Sequence, residues 1–186
     1  MKSLLLSTVA AAILVAGAFA QNSEAGKRRE NQQDRVAQGL KSGQLTAGET
    51  SNLEKKEAAI NQEVKTDRRL NGGKLTNPER KIVNQQQNQM SQQIYKDKHN
   101  AATTQYGNNQ VGARRENQQD RIAGGIASDK LSAGQAARLE NGQSAINQEV
   151  RTDQALNGGK LTSAEKKQVN AQQDQASKRI YSEKHK

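Results

Sequence analysis

Leu53, Ile60 and Val64 recur at spacings of seven and four residues, and Val83, Met90 and Ile94 repeat the pattern further along. That spacing puts apolar side chains on one narrow stripe of an α-helix, as in a coiled-coil seam. Glu57 and Gln87 interrupt the two stripes. The same figure returns in Leu139, Ile146 and Val150, then in Val169, Ala176 and Ile180, with Gln143 and Gln173 at the interrupting places. A polar residue on such a seam sets register or lies at its edge. Val36 with Leu40, and Ile122 with Ile126, give shorter stripes ahead of each set. The pattern predicts helices over 27–41, 47–70 and 77–98, and over their counterparts 113–127, 133–156 and 163–184.

The breaks between stripes carry their own signals. Ser42–Glu49 reads SGQLTAGE and Gly72–Glu79 reads GGKLTNPE; Ser128–Gln135 reads SDKLSAGQ and Gly158–Glu165 reads GGKLTSAE. Each ends in Thr or Ser, two residues, then Glu or Gln. That is the capping box, in which the hydroxyl accepts an early helix N–H and the residue at N3 reaches back to the cap N–H. Leu45, Leu75, Leu131 and Leu161 precede the caps, where a hydrophobic staple packs. Pro78 falls in a first helical turn, where its missing N–H costs nothing.

These elements form a duplication. Residues 28–99 align without a gap on residues 114–185, and LNGGKLT at Leu70–Thr76 recurs letter for letter at Leu156–Thr162. Such self-similarity defines the architecture. The expected fold is all-α: two tandem copies of a three-helix unit with helix-turn-helix corners. The chain divides into a signal peptide (1–20), a lead (21–27), repeat one (28–99), a flexible linker rich in Asn, Thr and Gly (100–113) and repeat two (114–186). The leader reading rests on Lys2, an apolar run from Leu4 to Ala18 of about 15 residues, and the small residues of Ala18-Phe19-Ala20. The run is short against the roughly 20 residues that span a bilayer, so cleavage after Ala20 is expected, with no transmembrane segment in the mature chain.

Export narrows the function. The chain has no cysteine, which excludes disulfides and thiol chemistry. Its formal net charge is +10, with both signs interspersed. That describes a solvated surface of basic bias. After cleavage the only aromatic residues are Tyr95, Tyr106 and Tyr181, too few for base-stacking platforms, so no specific nucleic-acid partner is expected. Each copy carries about a dozen large apolar side chains, a thin core for some seventy residues. Packing between the copies, or a homo-oligomer formed through the seams, would supplement it.

Candidate chemistry is sparse. A loop register at the second corner of each copy gathers oxygen ligands at Asp67, Asn71 and Glu79, or at Asp153, Asn157 and Glu165. A hard cation wants six or more oxygens, and Arg68 and Leu70 stand where further ligands belong, so no metal and no cofactor are expected. The Gly-Gly turn with Lys74 or Lys160 ahead of a helix N-terminus suggests an anion cradle, without the spacing of a phosphate-binding P-loop. His99 and His185 close the third helices, where a histidine complements the helix dipole. No nucleophile, base and acid stand in a recognisable arrangement, and paired carboxylates read as helix-surface charges. Catalysis is therefore not expected.

Three resemblances follow from these motifs. LTAGE, LTNPE, LSAGQ and LTSAE resemble the helix starts of LTxxQ-type periplasmic adaptors and chaperones, which implies a stress-adaptor or chaperone-like role. Gly73, Leu75, Thr76 and Glu79 resemble the later half of an EF-hand loop, which implies a degenerate calcium module. The whole order RENQQDR, LTxxE, NGGKLTxxE, IYxxKH resembles uncharacterised exported bacterial tandem-repeat helical proteins and implies no activity. The expected function is an exported, non-catalytic helical binding or structural protein, periplasmic or extracellular. Its expected partners are other proteins or anionic envelope polymers.

Overall fold

The computed structural model describes residues 9–186, with side chains from Glu24 onward. The expected leader therefore lies in part outside the described residues, as do the side chains at its cleavage point. The described residues form six α-helices and no strand: α1 (Val9–Lys41), α2 (Ala47–Leu70), α3 (Asn77–Lys98), α4 (Gln110–Ala127), α5 (Ala133–Leu156) and α6 (Ser163–Lys184). α2, α3, α5 and α6 match the bounds that stripes and caps predict. α1 begins well ahead of Lys27, because no proline or capping signal separates it from the preceding residues. α4 begins at Gln110, so the last four residues of the expected linker are helical.

The corners are built as their sequences dictate. Thr46, Thr76, Ser132 and Thr162 each accept the N3 backbone N–H while the N3 side chain accepts the cap N–H. The four staple leucines are buried. At the second corners, Gly72 (φ 62°) and Gly158 (φ 64°) enter the left-handed region, and the next glycine N–H bonds back to the carbonyl of Arg68 or Gln154. Thr162→Ala should lower stability by about 0.5–2 kcal/mol in chemical denaturation. An unchanged midpoint would remove the cap from the account of this corner.

The two copies pack on each other through α2 against α5 and α1 against α4. Ser51 Oγ donates to the Ala137 carbonyl at 3.0 Å, and these two residues occupy equivalent places in the two copies. A pseudo-twofold axis therefore passes between them. α2 and α5 run in opposite directions there: Gly48 faces Ser144, while Ala58 shares a crevice with Gly134. Small residues let the helices approach closely. The largest core cluster mixes both copies, joining Val36, Leu40, Leu53 and Ile94 to Ile122, Ile126, Leu139 and Ile180. Two smaller clusters lie at the ends, Ile60, Leu75 and Val83 in one copy and Val111, Ile146, Val150, Leu161 and Val169 in the other. The thin core of each copy is thus completed by its twin.

The interrupting polar residues are not at the edge of the seam. Glu57, Gln87, Gln143 and Gln173 are all buried. Gln87 donates to the Ala25 carbonyl and Gln173 to the Val111 carbonyl, both at 2.9 Å, which ties the third helix of each copy to its first. Gln32 and Gln118 tie the same pairs from the other side, donating to the Gln87 and Gln173 carbonyls at 2.6 Å. These bonds set register, because a slip of one residue would strand buried amides.

Candidate anion pocket

The oxygen-bearing corner residues are engaged in closing the turn. Asn71 donates its amide to both oxygens of Glu79 at 2.8 and 3.0 Å, and the Thr76 N–H donates to Glu79 at 2.6 Å. Asn157, Glu165 and Thr162 repeat this at 2.9, 3.0 and 2.7 Å. The backbone N–H of the capping threonine holds Glu79 and Glu165 below the usual carboxylate range. Asp67 and Asp153 are pushed up, by desolvation and by repulsion from Glu79 and Glu63, or from Glu165 and Glu149. Each asparagine thus turns a donor to its carboxylate, the reverse of what a cation shell needs. Among the described residues no three histidine or carboxylate groups converge as metal ligands. His99 and His185 contact the Tyr95 and Tyr181 carbonyls at 2.7 Å through Nδ1 and stack on those tyrosine rings.

Three carboxylates, Glu54, Glu57 and Glu140, are not surface charges. Glu54 and Glu140, equivalent residues of α2 and α5, are wholly buried near the pseudo-twofold axis. Desolvation pushes both up to about 8; Glu57 adds to the rise at Glu54, and Glu54 adds to it at Glu140. Gln119 donates to Glu140 at 3.1 Å, whereas neither oxygen of Glu54 has a hydrogen-bond partner. Glu57 is also pushed up by burial, opposed by the Arg29 charge. The signal in the sequence was the row of small residues Ala47, Thr50 and Ser51 on one helical face, which continues to Glu54 and marks a helix contact. Sealed from solvent, these carboxylates can act on the fold but not on a substrate.

A cavity of about 530 Å³ opens between the linker, the start of α4 and the second LNGGKLT corner. Its cationic groups are Arg115, Lys160 and Lys166, and no carboxylate lines it. Val111, Val150 and Leu161 form an apolar wall. Arg115 is only 8% exposed, and its Nε has no hydrogen-bond partner. Its guanidinium lies over the Tyr106 ring, 5.6 Å from the centroid. Burial lowers the Arg115 pKa, opposed by Tyr106, and burial pushes Tyr106 up to about 12, so the phenol is neutral at ordinary pH. Asn170 Oδ1 is a second buried atom on this wall without a partner. Both residues line the cavity although these two atoms are themselves closed to solvent, and an apolar cleft with a few convergent polar groups is the ordinary form of a ligand site.

The linker roofs this cavity and makes contacts with both copies. The Thr104 N–H donates to the Gly43 carbonyl at 2.9 Å. Gly43 has φ 71°, and a Cβ there would come within 2.8 Å of the Thr104 carbonyl. Asn109 caps α4 by accepting the Gly112 N–H at 3.0 Å. Of the two residues proposed for an anion cradle, Lys160 reaches this cavity beside Gly159. Arg115 escaped the sequence reading, because it and Arg29 stand in the same RRENQQDR motif. Arg29 is exposed and Arg115 buried, a difference made by the linker. Tyr106, the one aromatic residue in a polar segment, was the available signal. Compared with family models, curated proteins and solved structures, the chain matches none of them.

Proposed function

We propose that this is an exported, non-catalytic helical binding protein of the periplasm or extracellular space, and that its partners are anionic. The observation that carries the reading is the acid-free cavity in which Arg115 is buried without a counter-charge beside Lys160 and Lys166. Desolvating a guanidinium with no carboxylate in the cavity is costly, and an arriving anion would offset that cost. The basic surface would draw polyanions toward it. Support for the non-catalytic half comes from the buried carboxylates, which line none of the larger cavities. The chaperone-like alternative draws on the exposed Leu70, Ile82, Leu156, Tyr95 and Tyr181, of which the two tyrosines already stack on histidines. It ranks second. The test is a calorimetric titration of the leaderless protein with polyphosphate and with the anionic polymer fraction of a bacterial envelope, at physiological salt. Saturable binding that weakens as salt rises is expected. Heats indistinguishable from dilution for every anion, large or small, would sink the proposal.

A further inference from the structure

We infer that the cavity under Tyr106 is a site for a small organic oxyanion with an apolar body, its charged head on Arg115 and Lys160. This deepens the anion-binding reading and rests on it. A polymer satisfies exposed lysines as well as any small molecule does. It does not explain why the best-placed cation is the buried one. Arg115 sits beneath the linker, with its guanidinium against Tyr106 and an unpaired Nε. To meet it, an acceptor must enter the cavity rather than lie across its mouth.

Size and lining set the rest of the ligand. A volume of about 530 Å³ falls within the range of small-molecule sites. The wall of Val111, Val150 and Leu161 offers nothing to a bare inorganic ion and much to a ring or short alkyl chain. Lys160 and Lys166 come from the second corner of repeat two and the first turn of α6, and they line the same cavity as Arg115 of α4. An oxyanion in the cavity would have cationic groups from two elements of the fold within its walls. Asn170 lines the same wall and adds a polar side chain to it. The corner LNGGKLT thereby gains a second role in repeat two, presenting Lys160 to the site as well as joining two helices.

The experiment uses phenyl phosphate as probe, with inorganic phosphate, benzyl alcohol and polyphosphate beside it, titrated into the leaderless protein. Phenyl phosphate should bind saturably, inorganic phosphate at least tenfold more weakly, and benzyl alcohol not measurably. Lys160→Ala, on an exposed residue that cannot unfold the chain, should weaken phenyl phosphate by about tenfold, as loss of a charged hydrogen bond does. Lys178→Ala, elsewhere on α6, should leave it unchanged. Arg115→Met should abolish binding while the unliganded melting temperature holds or rises, because an unpaired buried charge has been removed. If polyphosphate binds and phenyl phosphate does not, the small-molecule site is wrong and the broader anion reading stands. If inorganic phosphate binds as tightly as phenyl phosphate, or if Lys178→Ala weakens binding as much as Lys160→Ala, the inference falls. If none of the anions binds, both fall.

Discussion

Replacing Glu54 and Glu140 together by Gln should stabilise the protein by several kcal/mol at pH 8 and by much less at pH 5. Both carboxyls are buried on facing helices, one in each copy, and both are held near 8 against an ordinary value of 4.5. The folded state therefore binds more protons than the unfolded chain between about pH 4.5 and 8. Stability must fall as pH rises through that window, at up to about 1.4 kcal/mol per pH unit for each group. Below 4.5 the groups are protonated in both states and contribute no slope. The surrounding polar groups do not rescue the anions. Gln33 faces Glu54 and Gln119 donates to Glu140, while Glu57 faces Glu54 with a like charge. Tyr106, the other titratable group that senses Glu140, is neutral in this range. Urea denaturation of parent and variant from pH 5 to 8.5 reads the effect. The parent's stability should decline across the range and the variant's should decline much less, Glu57 supplying part of the slope that remains. Parallel curves would mean that the pair is ionised and accommodated, and that α2 and α5 are not proton-linked.

Much of this fold is legible because it is built from local rules. A capping box needs only residues three apart, and a staple leucine only its neighbours, so Thr76, Glu79 and Leu75 announce a corner without reference to the rest of the chain. The stripes through Leu53 and Val83 likewise predict helices whose bounds the structure reproduces. The pairing of the copies is not local. Ser51 and Ala137 meet across the axis because their side chains are small, and nothing in either helix alone says which small face finds which partner. The burial of Glu54 follows from that pairing. A reading limited to large apolar residues therefore places it on the surface.

The candidate site was half legible for the same reason. Lys160 belongs to a motif that repeats, and a glycine pair with a lysine before a helix points to anions from sequence alone. Arg115 does not, because the repeat that reveals it also disguises it. Arg29 occupies the same motif and is exposed. What separates the two is the route of the linker over one of them, fixed within the linker by Tyr106 and Asn109 and far away in the chain by Gly43. Symmetry in the sequence argues for two equivalent surfaces. The linker can follow only one, and the asymmetry is where the cavity arises.

That asymmetry leads to the other large effect. Gly112→Ala should destabilise the protein by about 1–3 kcal/mol, the range of an overpacked contact, and should unseat the linker. Gly26→Ala, at the equivalent place in repeat one, should stabilise it by up to about 1 kcal/mol. Both glycines lie in helices, where alanine is the better former. A Cβ at Gly26 meets nothing within 4 Å. A Cβ at Gly112 collides with the Tyr106 carbonyl and comes within 2.6 Å of the Gly107 carbonyl. These are backbone atoms and cannot rotate aside, so relief requires the Tyr106–Gly107 segment to lift. Tyr106 would then leave Arg115, and the cavity would lose its roof. Thermal unfolding gives the stability change, and chymotrypsin gives the structural one, since Tyr106 is the only bulky residue between Asn100 and Asn109. Faster cleavage after Tyr106 in Gly112→Ala than in the parent, with Gly26→Ala unchanged, is the expected result. Equal stabilisation by both alanines would show that the linker is not seated on α4. The account of Arg115 as a residue covered by Tyr106 would then have to be given up.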